Sequence, residues 1–127
     1  MREYLREKES MAAYAKLSMP DIERALKINH VAIDGLYSWE EFLFLHHIFK
    51  ERLIVLAIYA PPPVRYLRLG SRLHRPLHKK EAIERDKSEI ENLNIGGPII
   101  MADQTIINIH GLDDLRIGID EFVKQHI

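Results

Sequence analysis

Residues 53–59 read LIVLAIY, apolar at every position, and the run stops against Pro61, Pro62 and Pro63. A strand with one wet face alternates apolar and polar residues, so an unbroken run predicts a strand covered on both faces, as in a parallel sheet between helices. Its β-branched content and the proline stop favour strand over buried helix. Proline is accepted in a first helical turn, where the missing amide hydrogen has no partner anyway. Residues 64–73 are therefore predicted to be helix, ended by Pro76. The apolar run is far shorter than the roughly 20 residues that span a bilayer. The first fifteen residues contain no signal-peptide-like apolar core. Membrane insertion and export are not expected, and the cytoplasm is the expected compartment.

The rest of the chain alternates helical and strand signals. Residues 2–17 are predicted to be a helix and residues 21–28 a second, short one, with Pro20 between them. Residues 30–34 (HVAID), stopped by Gly35, read as a strand. Ser38 and Glu41 form a capping box, the serine oxygen taking the Glu41 amide while Glu41 reaches back, and a helix from Trp39 to about residue 50 follows. Trp39 and Phe42, three apart, are most economically core. Residues 79–93 are a polar helix with a thin seam of Ile83, Ile90 and Leu93. A loop at 94–98, one helical turn at 99–102, a strand at 105–109 and a helix at 112–125 complete the pattern. Gly96 and Gly97 could admit a ligand close to the backbone or end the preceding helix, and helix ending is the simpler reading. Helices alternating with apolar strands predict an α/β layer architecture. With 127 residues and no linker, repeat or low-complexity tract, one domain over 1–127 is expected.

Composition removes whole classes of chemistry. There is no cysteine, so disulfides, thiolate metal sites and cysteine nucleophiles are excluded. Of the seven histidines, His74 and His78 are separated by Pro76, and His46 and His47 are adjacent and so on different helix faces. No metal site is expected, and no G-x-S-x-G elbow supports a hydrolase. The net charge of −1 argues against a general nucleic-acid binder, yet the charges are segregated. Residues 64–80 hold six arginines or lysines and no acid, a run suited to a polyanion such as a triphosphate. RNA is not the expected partner, because Tyr66 is the only aromatic in that run.

At 100° per residue, Arg65, Arg68 and Arg72 fall within roughly 60° of one another on the predicted helix, and Arg75 extends the stripe. Guanidinium forks match phosphate oxygens and neutralise charge on a transferring phosphate. The alternative is a solvated face paired with acids of the next helix. Asp34 closes the predicted strand 30–34, so its carboxylate is expected at the C-terminal edge of the sheet, where ligands bind in open α/β folds. There it could assist a magnesium ion or accept a proton from a substrate hydroxyl, or serve only as a turn aspartate.

In order, residues 31–41 (VAIDGLYSWEE), 57–61 (AIYAP), 65–69, Arg72 with Arg75-Pro76, Glu84-Arg85-Asp86, and Ala102-Asp103-x-x-Ile106-x-Asn108 make a series of six blocks. From about residue 30 to the end, this series resembles the dephospho-CoA kinase-like group of P-loop nucleotide kinases. The resemblance implies a three-layer α/β fold with a short, mostly parallel sheet, a lid-like segment at about 70–97, and phosphoryl transfer from ATP with Mg²⁺ to a nucleotide or a small phosphorylated acceptor. It implies that Asp34 lies near the acceptor, that Arg72 and Arg75 close on ATP phosphates, that Arg65, Arg68 and Arg85 contact the nucleotide, and that Asn108 lies beside the adenine. The chain contains no G-x-x-x-x-G-K-[ST] phosphate loop. In this group the strand before that loop lies between those corresponding to 30–34 and 53–59, so the resemblance implies a fold truncated at the N-terminus with a central gap. Three outcomes are open: the two flanking strands close up and pair, a second copy supplies the edge, or the natural product begins upstream. A non-catalytic binding or oligomerisation module, as a homodimer, is the alternative function.

Overall fold

The computed structural model describes residues 10–127. In chain order these form α1 (Ala13–Leu26), α2 (Trp39–Phe49) with a 3-10 turn at Lys50–Arg52, β1 (Leu56–Tyr59), α3 (Pro62–Gly70), α4 (Lys79–Leu93), α5 (Gly96–Ile100), β2 (Gln104–Ile107) and α6 (Leu112–His126). The protein is an α/β fold in which β1 and β2 pair in parallel, Leu56 opposite Gln104 through Tyr59 opposite Ile107. The connection between them carries α3, α4 and α5.

The buried core lies mainly between α1 and α2. Ala12, Ala13, Ala15 and Ile22 on one side and Phe42 and Leu45 on the other are all buried, and the two helices are in contact. Ser38 is fully buried at the start of α2, in extended backbone with φ −128° and ψ 154°. Its Oγ accepts from the Glu41 amide at 3.1 Å and donates to the Met11 carbonyl at 3.0 Å, so the expected capping box also ties α2 to the chain entering α1. The buried Glu41 carboxylate accepts from the Tyr37 and Ser38 amides at 3.0 and 3.1 Å. A buried carboxylate is tolerable because these donors replace water.

Elsewhere α3 packs against α4, α2 against α5, and α6 against β2. Gly97 explains how α5 approaches α2: a Cβ there would lie 2.5 Å from the Trp39 Cε3. The end of α4 is made instead by Asn94, in the left-handed conformation with φ 52° and ψ 44°. Gly96 and Gly97 thus neither end that helix nor form a loop; they open α5.

Several expectations change. Pro20 lies inside α1 rather than between two helices, and the predicted helix at 2–17 falls partly outside the described residues. Proline orphans the carbonyl four residues back, here that of Lys16, which is an exposed residue. Residues 30–34 are irregular, not a strand. Local apolarity makes a strand only where a neighbour offers a hydrogen-bond ladder, and among the described residues none pairs with them. The two flanking strands of the implied fold therefore do not close up. Strand β1 is shorter than 53–59 and not covered on both faces, with Ile58 50% exposed. The first α3 turn takes Pro62 and Pro63, and the helix ends at Gly70, three residues before the predicted end. The turn expected at 99–102 is α5, and the last strand ends at Ile107 rather than 109.

Candidate functional site

Two places gather the candidate residues. The first is a cleft of about 210 Å³ between α1, α2 and the loop joining them. Tyr14, Ser18 and Ile22 line it from α1, Asp34 and Tyr37 from the loop, and Glu41 and Leu45 from α2. Asp34 is thus at the mouth of an interhelical cleft, not at the end of a sheet strand. The main-chain turn beside it is held by Glu41, whose carboxylate takes the Tyr37 amide. The cleft offers aromatic walls and a carboxylate, a combination that can hold a flat or hydroxyl-bearing ligand.

The second is the basic segment. Arg65 forms an ion pair with Asp86 of α4, and its Nη1 donates to the Ala60 carbonyl at 2.7 Å. The Tyr66 hydroxyl donates to the same Asp86 carboxylate at 2.7 Å. That hydrogen bond, with burial and the carboxylate's charge, raises the Tyr66 pKa above its usual value. Arg68 spans from α3 to the chain after β2, donating to the Asn108 and His110 carbonyls at 2.8 and 2.9 Å. These two arginines join β1, α3, α4 and the β2 exit into one frame.

Arg72 and Arg75 differ. Because α3 ends at Gly70, Arg72 follows the helix instead of continuing its stripe, and both residues lie on the exposed segment leading to α4. Among the described residues neither makes a hydrogen bond or ion pair. Arg75 has a φ of 51°, an uncommon left-handed position for a branched-free but long side chain. Arg85 pairs along α4 with Glu89 at 2.9 Å, which raises its pKa. Asn108 contributes main-chain groups: its amide donates to the Tyr59 carbonyl and its carbonyl receives Arg68.

The structure does not gather Asp34 and the arginines into a single described cleft. Sequence reasoning missed Tyr14, Ser18 and Tyr37 as cleft walls, because their spacing is indistinguishable from that of surface positions. It singled out Asp103 within the last of the six blocks but gave it no role; its carboxylate accepts from the Val55 amide at 2.7 Å and closes the start of the strand pair. The placement of an acid just before the last strand was the available signal.

No protein-family model matches the chain. Individual relatives do. A UPF0200 protein of Pyrococcus furiosus is 33% identical over 125 residues, covering 95% of this chain and 67% of its own length. One from Methanopyrus kandleri is 40% identical over 117 residues, covering 89% of this chain and 56% of its own. A third, from Sulfurisphaera tokodaii, is 32% identical, with 95% and 66% covered. The chain spans between 56% and 67% of the length of these relatives. Identity at this level, sustained from α1 through α6, makes the chain a member of the UPF0200 family.

Proposed function

We propose that this chain is the lid and acceptor side of a dephospho-CoA kinase-like nucleotide phosphotransferase. The observation that carries the reading is the division of labour among the arginines. Arg65 and Arg68 are committed to the frame, whereas Arg72 and Arg75 sit without partners on the exposed segment before α4. Unpaired guanidinium groups on an exposed segment that leaves an anchored helix are suited to meeting phosphate oxygens bidentately. The Asp34 cleft, with Tyr14 and Tyr37, is the place this reading gives to the phosphate acceptor. ATP fits the free arginines. Among the described residues no group of three His, Asp or Glu could hold a metal ion, so Mg²⁺ would enter on the phosphates, as magnesium commonly does. Bound there it would neutralise phosphate charge, and Arg72 and Arg75 would orient the chain of phosphates. Among the described residues no helix is long and apolar enough to cross a membrane. The cytoplasm, with its ATP, is the compartment this reading uses.

Calorimetric titration of the 127-residue chain with ATP and Mg²⁺ tests the proposal. Saturable binding is expected, weakened at least about tenfold when Arg72→Ala and Arg75→Ala are combined in a variant with unchanged circular dichroism. Absence of heat at millimolar ATP, or undiminished binding in the double variant, would overturn it. A second reading, a non-catalytic binding or oligomerisation module, is favoured by one observation: among the described residues the edge of β1 away from β2 pairs with no strand.

A further inference from the structure

The segment that presents Arg72 and Arg75 is a pinched loop between two helices. The Leu77 amide donates to the Leu69 carbonyl at 3.1 Å, closing the neck of the loop at the end of α3. Farther down, Arg65 and Tyr66 of α3 both reach Asp86 of α4. These pairs form as one helix is followed backward and the other forward, so α3 and α4 lie antiparallel with the loop at their tip. At 1.5 Å per residue, Asp86 stands about 10 Å along α4 from Lys79, well removed from the arginines of the loop.

What holds α4 in place is polar rather than apolar. Among the described residues Ala82 is the one buried residue of α4 and α3 has none, and the seam expected on α4 is open, with Ile83 42% and Ile90 59% exposed. The Asp86 carboxylate takes two donors from α3, and one of them, Arg65, also donates to the Ala60 carbonyl just past the end of β1. The side chains of Arg65 and Asp86 are 32% and 24% exposed, which shields the pair from the screening that weakens open surface pairs. One carboxylate thus ties the strand exit, α3 and α4 together.

We infer that Asp86 is a positioning residue for the arginine loop: it touches no ligand, and through α4 it fixes where residues 71–78 hold Arg72 and Arg75. The inference rests on the reading that these two arginines meet ATP phosphates. Two guanidinium groups grip one run of phosphates well only if the loop is ordered beforehand, since otherwise binding must supply the ordering. Helix α3 fixes one end of the loop, and Asp86 fixes the other.

Titration of Asp86→Asn with ATP and Mg²⁺, beside the wild-type chain, tests this, because charge and position predict opposite signs. Asparagine removes a negative charge next to a basic segment and releases Arg65, so through-space attraction alone would leave a polyanion bound as tightly or more tightly. Loss of position weakens binding instead. The expected result is at least about fivefold weaker ATP binding with unchanged circular dichroism. A purely structural role would lower the urea midpoint and leave the affinity of the folded protein unaltered. That outcome, or tighter binding, would overturn the inference while wild-type binding through Arg72 and Arg75 still stood. A wild-type chain that binds no ATP would overturn the parent reading and this inference together. Should Asp86→Asn fail to fold, Tyr66→Phe decides, since it keeps every charge and removes one of the two donors. Binding about two- to threefold weaker is expected there, and unchanged affinity would overturn the inference.

Discussion

The helical pair α1 and α2 and the strand pair β1 and β2 satisfy their chemistry in different ways. In the helical pair, the fully buried Ser38 and the buried Glu41 are both hydrogen-bonded, and Phe42 and Leu45 are sealed. Around the strands, α3 and α6 contain no buried residue, and Ile58 and Ile107 are half-exposed. The first region closes on itself; the second is held by polar clamps such as Arg65, Arg68 and Asp103 and leaves apolar surface open. Burial, not apolarity, separates them, since LIVLAIY is the most apolar segment of the chain. The difference teaches that the apolarity of a segment does not by itself decide how deeply it is buried.

The sharpest way to break this comparison is to delete matched apolar groups from each side. Phe42→Ala should cost about 3–5 kcal/mol, because its ring is buried and stacked 5.1 Å from Trp39. Ile58→Ala should cost less than about 1 kcal/mol in urea unfolding, because Ile58 is half-exposed. Equal costs would mean that the two regions do not differ. A smaller loss, about 1–3 kcal/mol, is expected for Gly97→Ala, which forces Trp39 away from α5. Near-ultraviolet circular dichroism of the single tryptophan should change with it, and an unchanged spectrum would show that α5 is not tightly seated. The least effect should come from the polar clamp. Tyr66 has a raised pKa, so the fold prefers its protonated form. That contribution is present in full below about pH 10 and is lost as pH rises through the raised value. The urea midpoint should therefore fall in the alkaline range, and this part of the fall should be missing in Tyr66→Phe.

Much of the local structure was readable because it rests on local chemistry. The Ser38 capping box and the span of α4 follow from neighbours within one turn. The strand expected at 30–34 failed because a ladder is a property of two segments, and His30 to Asp34 find no second one among the described residues. Pro20 misled because the cost of a helical proline depends on its surroundings, and here it lies inside α1 with Lys16, four residues back, on the exposed side. Gly97 was read as a helix stop when its role is to make room for an indole. The arginine stripe was legible as a cluster of cations, and its alternative reading, pairing with acids of the next helix, holds for Arg65 with Asp86; the reach of Arg68 to main-chain carbonyls 40 and 42 positions away was not legible. Asp34 was expected at the end of a sheet strand and lies instead in irregular chain beside a cleft, one side of which comes from Tyr14, Ser18 and Ile22, 12 to 20 residues upstream.

The Val55 to Asp103 contact closes a loop across 48 sequence positions. Closure entropy grows with the logarithm of loop length, so even doubling that span would cost only about 0.6 kcal/mol. Because the exposed stretch between α3 and α4 lies inside the loop, evolution is free to lengthen, shorten or recharge it while the strands stay registered. The clamp at Asp103 thus separates inheritance of the frame from variation in what the frame presents.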